Sequence, residues 1–158
     1  MPALAFFLTW HSYGTWLHGD ARGTMDDVHN RAGTPRLPPD RKRLEHAEFL
    51  MAQPAFILSP EMRTTVDSAI RLHAEKREWR VLALNVRSNH VHVCVAKTGH
   101  YTPELVMQQF KAWATRGLIA AGHATRDRKA WTRHGSTRYI NDEESLGVAI
   151  DYVKNRQD

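Results

Sequence analysis

The sequence predicts an α+β fold of the ferredoxin-like, split βαβ type. In that arrangement an antiparallel sheet carries two helices on one face, and here an extra C-terminal helix is left over for the other. Three observations predict it. The elements read in the order strand, helix, strand, strand, helix, strand, helix. Two helix starts share one signature, Ser59-Pro60-Glu61 and Thr102-Pro103-Glu104: a capping hydroxyl, proline at the first position, an acid in the first turn. Between those helices, WRVLALNV (79–86) and HVHVCVA (90–96) are strand-like runs joined by the turn-like Arg87-Ser88-Asn89.

Taken in order, residues 4–10, LAFFLTW, read as a buried strand. Residues 19–43 are rich in Gly, Pro, Asp and Arg and form a long excursion, a length that usually signals function or mobility. A short amphipathic helix over about 39–52 has Leu44, Ala47, Leu50 and Met51 as its inner stripe. From Pro60, residues Met62, Val66, Ala69, Ile70 and His73 recur at helical spacing, so a helix runs to about 78. The second long helix, with Phe110, Trp113 and Ala114 inside, runs to about Ala121, where Gly122 stops it. Residues 123–136 read as a polar loop and STRYI as a last short strand. Asp142 then caps a helix with Leu146, Ala149, Ile150 and Val153 inside.

The 158 residues suit one domain spanning 1–158, and an apolar fraction of 42% is compatible with a packed core. Cys94 is the single cysteine, so no disulfide or cysteine-based zinc cluster can form within the chain. That suits a reducing cytoplasm. The N-terminal MPALAFFLTWHSYG has neither a basic leader nor a small-residue cleavage pattern, and no apolar run approaches the ~20 residues needed to span a bilayer, so no membrane partner is expected. Lys and Arg number 22 against 17 Asp and Glu, a net charge of +5. A basic balance suits a polyanionic partner, most often nucleic acid, and equally a merely basic soluble protein.

The chemistry concentrates in RSNHVHVCV, residues 87–95. Strand alternation turns Val91, Val93 and Val95 towards the two long helices. His90, His92 and Cys94 then face the side the last helix must cover. Two imidazoles two residues apart can converge on one metal ion, or can be an incidental wet pair. Cys94 reads as a small buried filler rather than a ligand. On the last helix, Tyr152 flanks the apolar stripe by about 100°, which lets its hydroxyl project along the sheet face.

HVHV is a His-hydrophobic-His motif, and here the chain resembles the HUH endonucleases. Its surroundings resemble the small single-tyrosine HUH transposases of insertion-sequence type, including the REP-associated tyrosine transposases. The stretches that carry the likeness are FLTWHSYGTWLHGDARG, LNVRSNHVHVCV and WTRHGSTRYINDEESLGVAIDYV. The resemblance implies that Tyr152, about sixty residues after the histidines, is the nucleophile, a position that Tyr13, Tyr101 and Tyr139 do not match. It implies that His90 and His92 hold a divalent ion, Mg²⁺ or Mn²⁺, against a phosphate of single-stranded DNA. It also implies a 5′-phosphotyrosine link with a free 3′-hydroxyl, and recognition of a hairpin with flanking single strand.

One departure stands out. Such proteins often place Gln or Asn one helical turn beyond the tyrosine as third ligand, and here that residue is Arg156, a cation. Asn155 is the favoured substitute, with Gln157, His11 and His18 as alternatives.

For DNA contact, RDRKAWTRHGSTR (126–138) offers Arg126, Arg128, Lys129, Arg133 and Arg138, with Trp131 among them for base stacking. HNRAGTPRLPPDRKR (29–43) is a second basic excursion with Arg31, Arg36, Arg41, Lys42 and Arg43, and Lys111 and Arg116 add to either surface. Trp10, Trp16, Trp79 and Trp113 read as core or rim aromatics. The leading expectation is a DNA transposase. Its rivals are an inactive or domesticated hairpin-DNA binder and a metal hydrolase with no covalent step. Relatives act as monomers or as dimers that share sites, so a homodimer is one expected state.

Overall fold

The computed structural model describes residues 3–15 and 53–155. Within them lie β1 (Ala5–Ser12), α1 (Pro60–Arg77), β2 (Val81–Val86), β3 (His90–Ala96), α2 (Pro103–Ala120), β4 (Trp131–Ile140) and α3 (Glu143–Asn155). The helix expected over 39–52, the basic stretch 29–43 with Arg36, and Trp16, His18, Arg156 and Gln157 lie outside the described residues.

The four strands lie in the order β2-β3-β1-β4, with every neighbouring pair antiparallel. β1 and β2 are therefore parallel with β3 between them, which is the split βαβ arrangement the element order predicted.

Local chemistry sets the helix limits. The Ser59 hydroxyl accepts from the Met62 amide at 3.3 Å, and Thr102 accepts likewise from Leu105 at 3.3 Å. Pro60 and Pro103 begin their helices at positions where a missing N–H costs nothing. α1 ends at Glu78, a left-handed residue with φ 61°. Gly122, at φ 82°, turns the chain away after α2.

The sheet divides the interior in two. On one side Val91, Val93 and Val95 pack with Val66 and Ile70 of α1 and Val106, Phe110 and Leu118 of α2, all fully buried. Each such side chain contributes roughly 1.5–3 kcal/mol of burial, so most of the stability resides here. On the other side α3 covers a smaller cluster of Ala5, Ala83, Cys94, Ile140 and Val153, with Leu146, Ala149 and Ile150 against it. Asp142 caps α3 by accepting from the Ser145 amide at 2.8 Å. Among the described residues, no helix is long and apolar enough to cross a membrane.

One element corrects the sequence reading. β4 begins at Trp131, so much of the stretch read as a polar loop is strand. Among the described residues it pairs with β1 alone, and both its faces hold polar side chains, which hides the usual alternation. Its register on β1 slips between Trp10, opposite Gly135, and Ser12, opposite Trp131. The carbonyls of Thr132 and His134 in the slipped stretch accept from Lys111 Nζ at 3.0 and 3.3 Å. Beside it, a Cβ on Gly135 would stand 2.6 Å from the Thr9 carbonyl oxygen and 2.8 Å from Met107 Sδ. Only glycine lets β4, β1 and α2 approach this closely.

Candidate functional site

The site lies on the α3 side of the sheet, where register aligns side chains from three strands. His92 of β3 stands opposite Thr9 of β1 and Asn85 of β2. His90 stands opposite His11, and Phe7 opposite both Cys94 and Arg138. Directly paired residues project to the same face, so these form one continuous patch.

Above the patch is Tyr152. Its ring meets the His92 ring edge-on, with centroids 5.5 Å apart and planes at 80°. Phe7 fills the angle between them, 5.7 Å from His92 and 6.0 Å from Tyr152. The rings of His90 and His92 lie 4.7 Å apart, and His11 lies 5.7 Å from His90. Tyr152 is 41% exposed, whereas His92 is almost covered at 8%. A phenol open to solvent beside a sheltered imidazole suits a ligand that arrives from outside.

Each histidine is oriented by a neighbour. Thr9 Oγ1 is hydrogen-bonded to His92 Nδ1 at 2.7 Å. His90 Nδ1 donates to the Asn89 amide oxygen at 2.6 Å, which places a proton on Nδ1 and leaves Nε2 outside this contact. Burial pushes the His92 pKa down to about 4, helped by His90 and Arg87, so the ring is neutral at pH 7. A neutral imidazole is the ligating form. Burial raises the Cys94 thiol to about 11, so it stays protonated and inert.

The helix of Tyr152 is pinned from below. Asn85 Nδ2 donates to the Val153 carbonyl at 3.1 Å, one residue beyond Tyr152. Asn155 donates its amide to Asp151 Oδ1 at 2.9 Å within the same helix, and among the described contacts none joins it to either imidazole. Among the described residues no three His, Cys, Asp or Glu side chains cluster as a metal-ligand set.

The basic residues distribute unevenly. Arg138, opposite Phe7, borders the site, and Arg133 is exposed on the same edge strand. Arg126 and Lys129 are exposed on the loop before β4. Arg128 is engaged with the scaffold: it donates to Gln53 Oε1 at 2.9 Å and to the Pro54 carbonyl at 2.7 Å, with its guanidinium 4.8 Å from the Phe56 ring. Trp131 is not the open stacking platform its loop reading suggested. Its indole N–H donates to the Lys111 carbonyl and the Thr115 hydroxyl, and its ring abuts Trp10 at 6.1 Å. Lys111 is likewise turned inward, and burial lowers its pKa to about 8. Arg116 lies 4.5 Å over the Trp113 ring on the helix side.

The sequence reading missed Phe7, Thr9, Asn85 and Asn89. A signal existed for two of them, since Thr9 and Asn85 are polar residues inside apolar strands. Which histidine they would meet depends on register, which one strand's sequence does not contain.

Comparisons with known proteins agree with this architecture. A Deinococcus radiodurans R1 protein solved at 1.90 Å as a candidate transposase superposes with a TM-score of 0.53 at 13% identity, covering 99% of this chain and 93% of that one. A REP-associated tyrosine transposase solved with a REP hairpin superposes with a TM-score of 0.51 at 12% identity, covering 97% of this chain and 66% of that one. At such identities the likeness is one of fold. Sequence comparison with curated proteins yields no match. The family model for IS200-like transposases, however, matches residues 46–156, a span that includes both histidines, the strand that carries Arg138 and the helix of Tyr152. By that match the chain belongs to the IS200-like transposase family.

Proposed function

We propose that this chain nicks and rejoins single-stranded, hairpin-associated DNA through a covalent bond to Tyr152. The observation that carries the reading is the edge-on contact of the Tyr152 and His92 rings at 5.5 Å. It sets a phenol beside the neutral His92 ring and its neighbour His90, on a face bordered by Arg138 and Arg87.

In the proposed reaction the Tyr152 oxygen attacks phosphorus. A P–O bond to tyrosine forms, the P–O3′ bond breaks, and the leaving 3′-oxygen takes up a proton as the phenol gives one up. The phosphate stays on the 5′ side of the downstream strand. A 3′-hydroxyl can later attack the same phosphorus and release the phenol, so rejoining needs no nucleotide cofactor. A phenol ionises near pH 10, far more readily than an alcohol.

The donor chemistry fits Mn²⁺ or Mg²⁺ with His90 and His92 as ligands and oxygen from the Asn155 amide, water or phosphate completing the shell. Bound there, the ion supplies charge neutralisation at the phosphate. Thr9 and Asn89 engage the Nδ1 atoms and so present Nε2 as the ligating nitrogen.

A hairpin-binding relative that no longer cuts is the second reading, favoured by Arg156 at the position of the usual third ligand. The test is incubation with a panel of hairpin DNAs and Mn²⁺, followed by a denaturing gel. A covalent adduct absent in Tyr152→Phe supports the proposal. Binding without an adduct supports the second reading, and cleavage retained in Tyr152→Phe makes the chain a metal hydrolase.

A further inference from the structure

A cavity of about 340 Å³ opens on the opposite face of the sheet, lined by Phe6, Lys97, His100, Tyr101, Tyr139 and Asn141 with the start of α2. We propose that it is a nucleotide subsite for the single strand that runs to Tyr152, an inference that rests on the DNA-cutting function proposed above.

Its walls have the chemistry of a base and its phosphate. Tyr139 is 57% exposed and is braced edge-on by Phe6 at 5.3 Å. His100 stacks on Tyr101 at 4.5 Å and 27°, and Tyr101 is held from another side by Arg77, whose guanidinium donates to its hydroxyl at 3.2 Å. Two braced aromatic systems at an open cavity offer stacking surfaces for a base, and stacking tolerates any base. Lys97 supplies a cation for phosphate and the Asn141 amide a donor and acceptor for a base edge. The nearest acid at the start of α2, Glu104, accepts from Thr137 at 3.0 Å and does not line the cavity.

Position decides what fills it. Tyr139 follows Arg138 on β4, and consecutive strand residues project to opposite faces. Arg138 is opposite Phe7, the residue that touches both Tyr152 and His92. Among the described residues β4 is an edge strand, so a single strand leaving the Tyr152 site crosses Arg138 and turns over the edge to reach Tyr139. A free mononucleotide would need no such link to the site.

The experiment uses the full chain and labelled single-stranded DNA of random sequence, with 5-iododeoxyuridine incorporated for photocrosslinking. Tyr139→Ala is expected to weaken binding about tenfold and Tyr139→Phe to leave it within about twofold. Lys97→Ala, at an exposed position where folding is not at stake, is expected to reduce the slope of log affinity against log salt by about one phosphate contact. Crosslinks are expected on Tyr139 or His100. Unchanged affinity and slope, with crosslinks only elsewhere, overturn the proposal. So does a mononucleotide mixture that removes the crosslink while the strand stays bound. None of these readouts involves the phosphotyrosine bond. A chain that crosslinks at Tyr139 yet forms no adduct keeps the subsite and loses the proposed chemistry; one that forms the adduct without the crosslink does the reverse.

Discussion

The Thr9 hydroxyl lies 2.7 Å from Nδ1 of His92, directly across the β1–β3 ladder. This contact ties the orientation of the imidazole beside Tyr152 to a neighbouring strand. Thr9→Val keeps the shape and removes the hydrogen bond. Mn²⁺ affinity, measured by calorimetry, is expected to fall at least about tenfold, as for other partners that orient a ligating histidine, while the melting temperature changes little. Unchanged affinity would mean that His92 is held by packing alone.

Asn85 makes the corresponding contact to α3. In Asn85→Ala the Val153 carbonyl loses its donor, a change of about 1 kcal/mol localised at the last turn. Amide exchange in α3 should accelerate while that of α1 and α2 stays as before. Adduct formation should slow without loss of DNA affinity. Equal acceleration across all helices would show that Asn85 supports the fold in general.

Gly135 tests the contact between β4, β1 and α2. Gly135→Ala forces a methyl against the Thr9 carbonyl and the Met107 sulfur. Overpacking of this kind costs about 1–3 kcal/mol, read as a lower urea midpoint. Because Thr9 is displaced, Mn²⁺ affinity should fall with it. A mutant with native stability would show that β4 can move away freely.

His92 gives the fold a pH dependence of defined sign. In the unfolded chain it protonates near 6.5, and in the folded protein near 4. Between those values the unfolded state binds more protons, so stability is full above about pH 6.5 and declines as pH falls towards 4. The loss is on the order of 3 kcal/mol. Urea titrations from pH 7 to 4 should show this slope in the wild type and a shallower one in His92→Gln. Equal slopes would place the titration elsewhere.

Much of this was readable in advance because it depends on near neighbours. Ser59 and Thr102 announce their helices within three residues, and the valines of β3 sort its two faces by simple alternation. The pairing of His92 with Tyr152 came from the resemblance rather than from spacing, since sixty residues separate them. The first half of β4, before STRYI, escaped notice because its polar atoms are satisfied by distant partners, notably Lys111. Trp131 looked like a loop aromatic for the same reason, its hydrogen-bond partners being on α2. Thr9 and Asn85 acquire meaning only through strand register.

The four-stranded sheet is a bulkhead between two compartments of unequal importance to folding. The larger one, under α1 and α2, holds the molecule together, while the smaller one seats Tyr152, with Val153 as the only buried residue of α3 among the described residues. Damage to that seat can silence the chemistry and spare the scaffold. On the proposed reading, a lineage of such chains can therefore drift from cutting DNA to merely holding it, one substitution at a time, without passing through an unfolded ancestor.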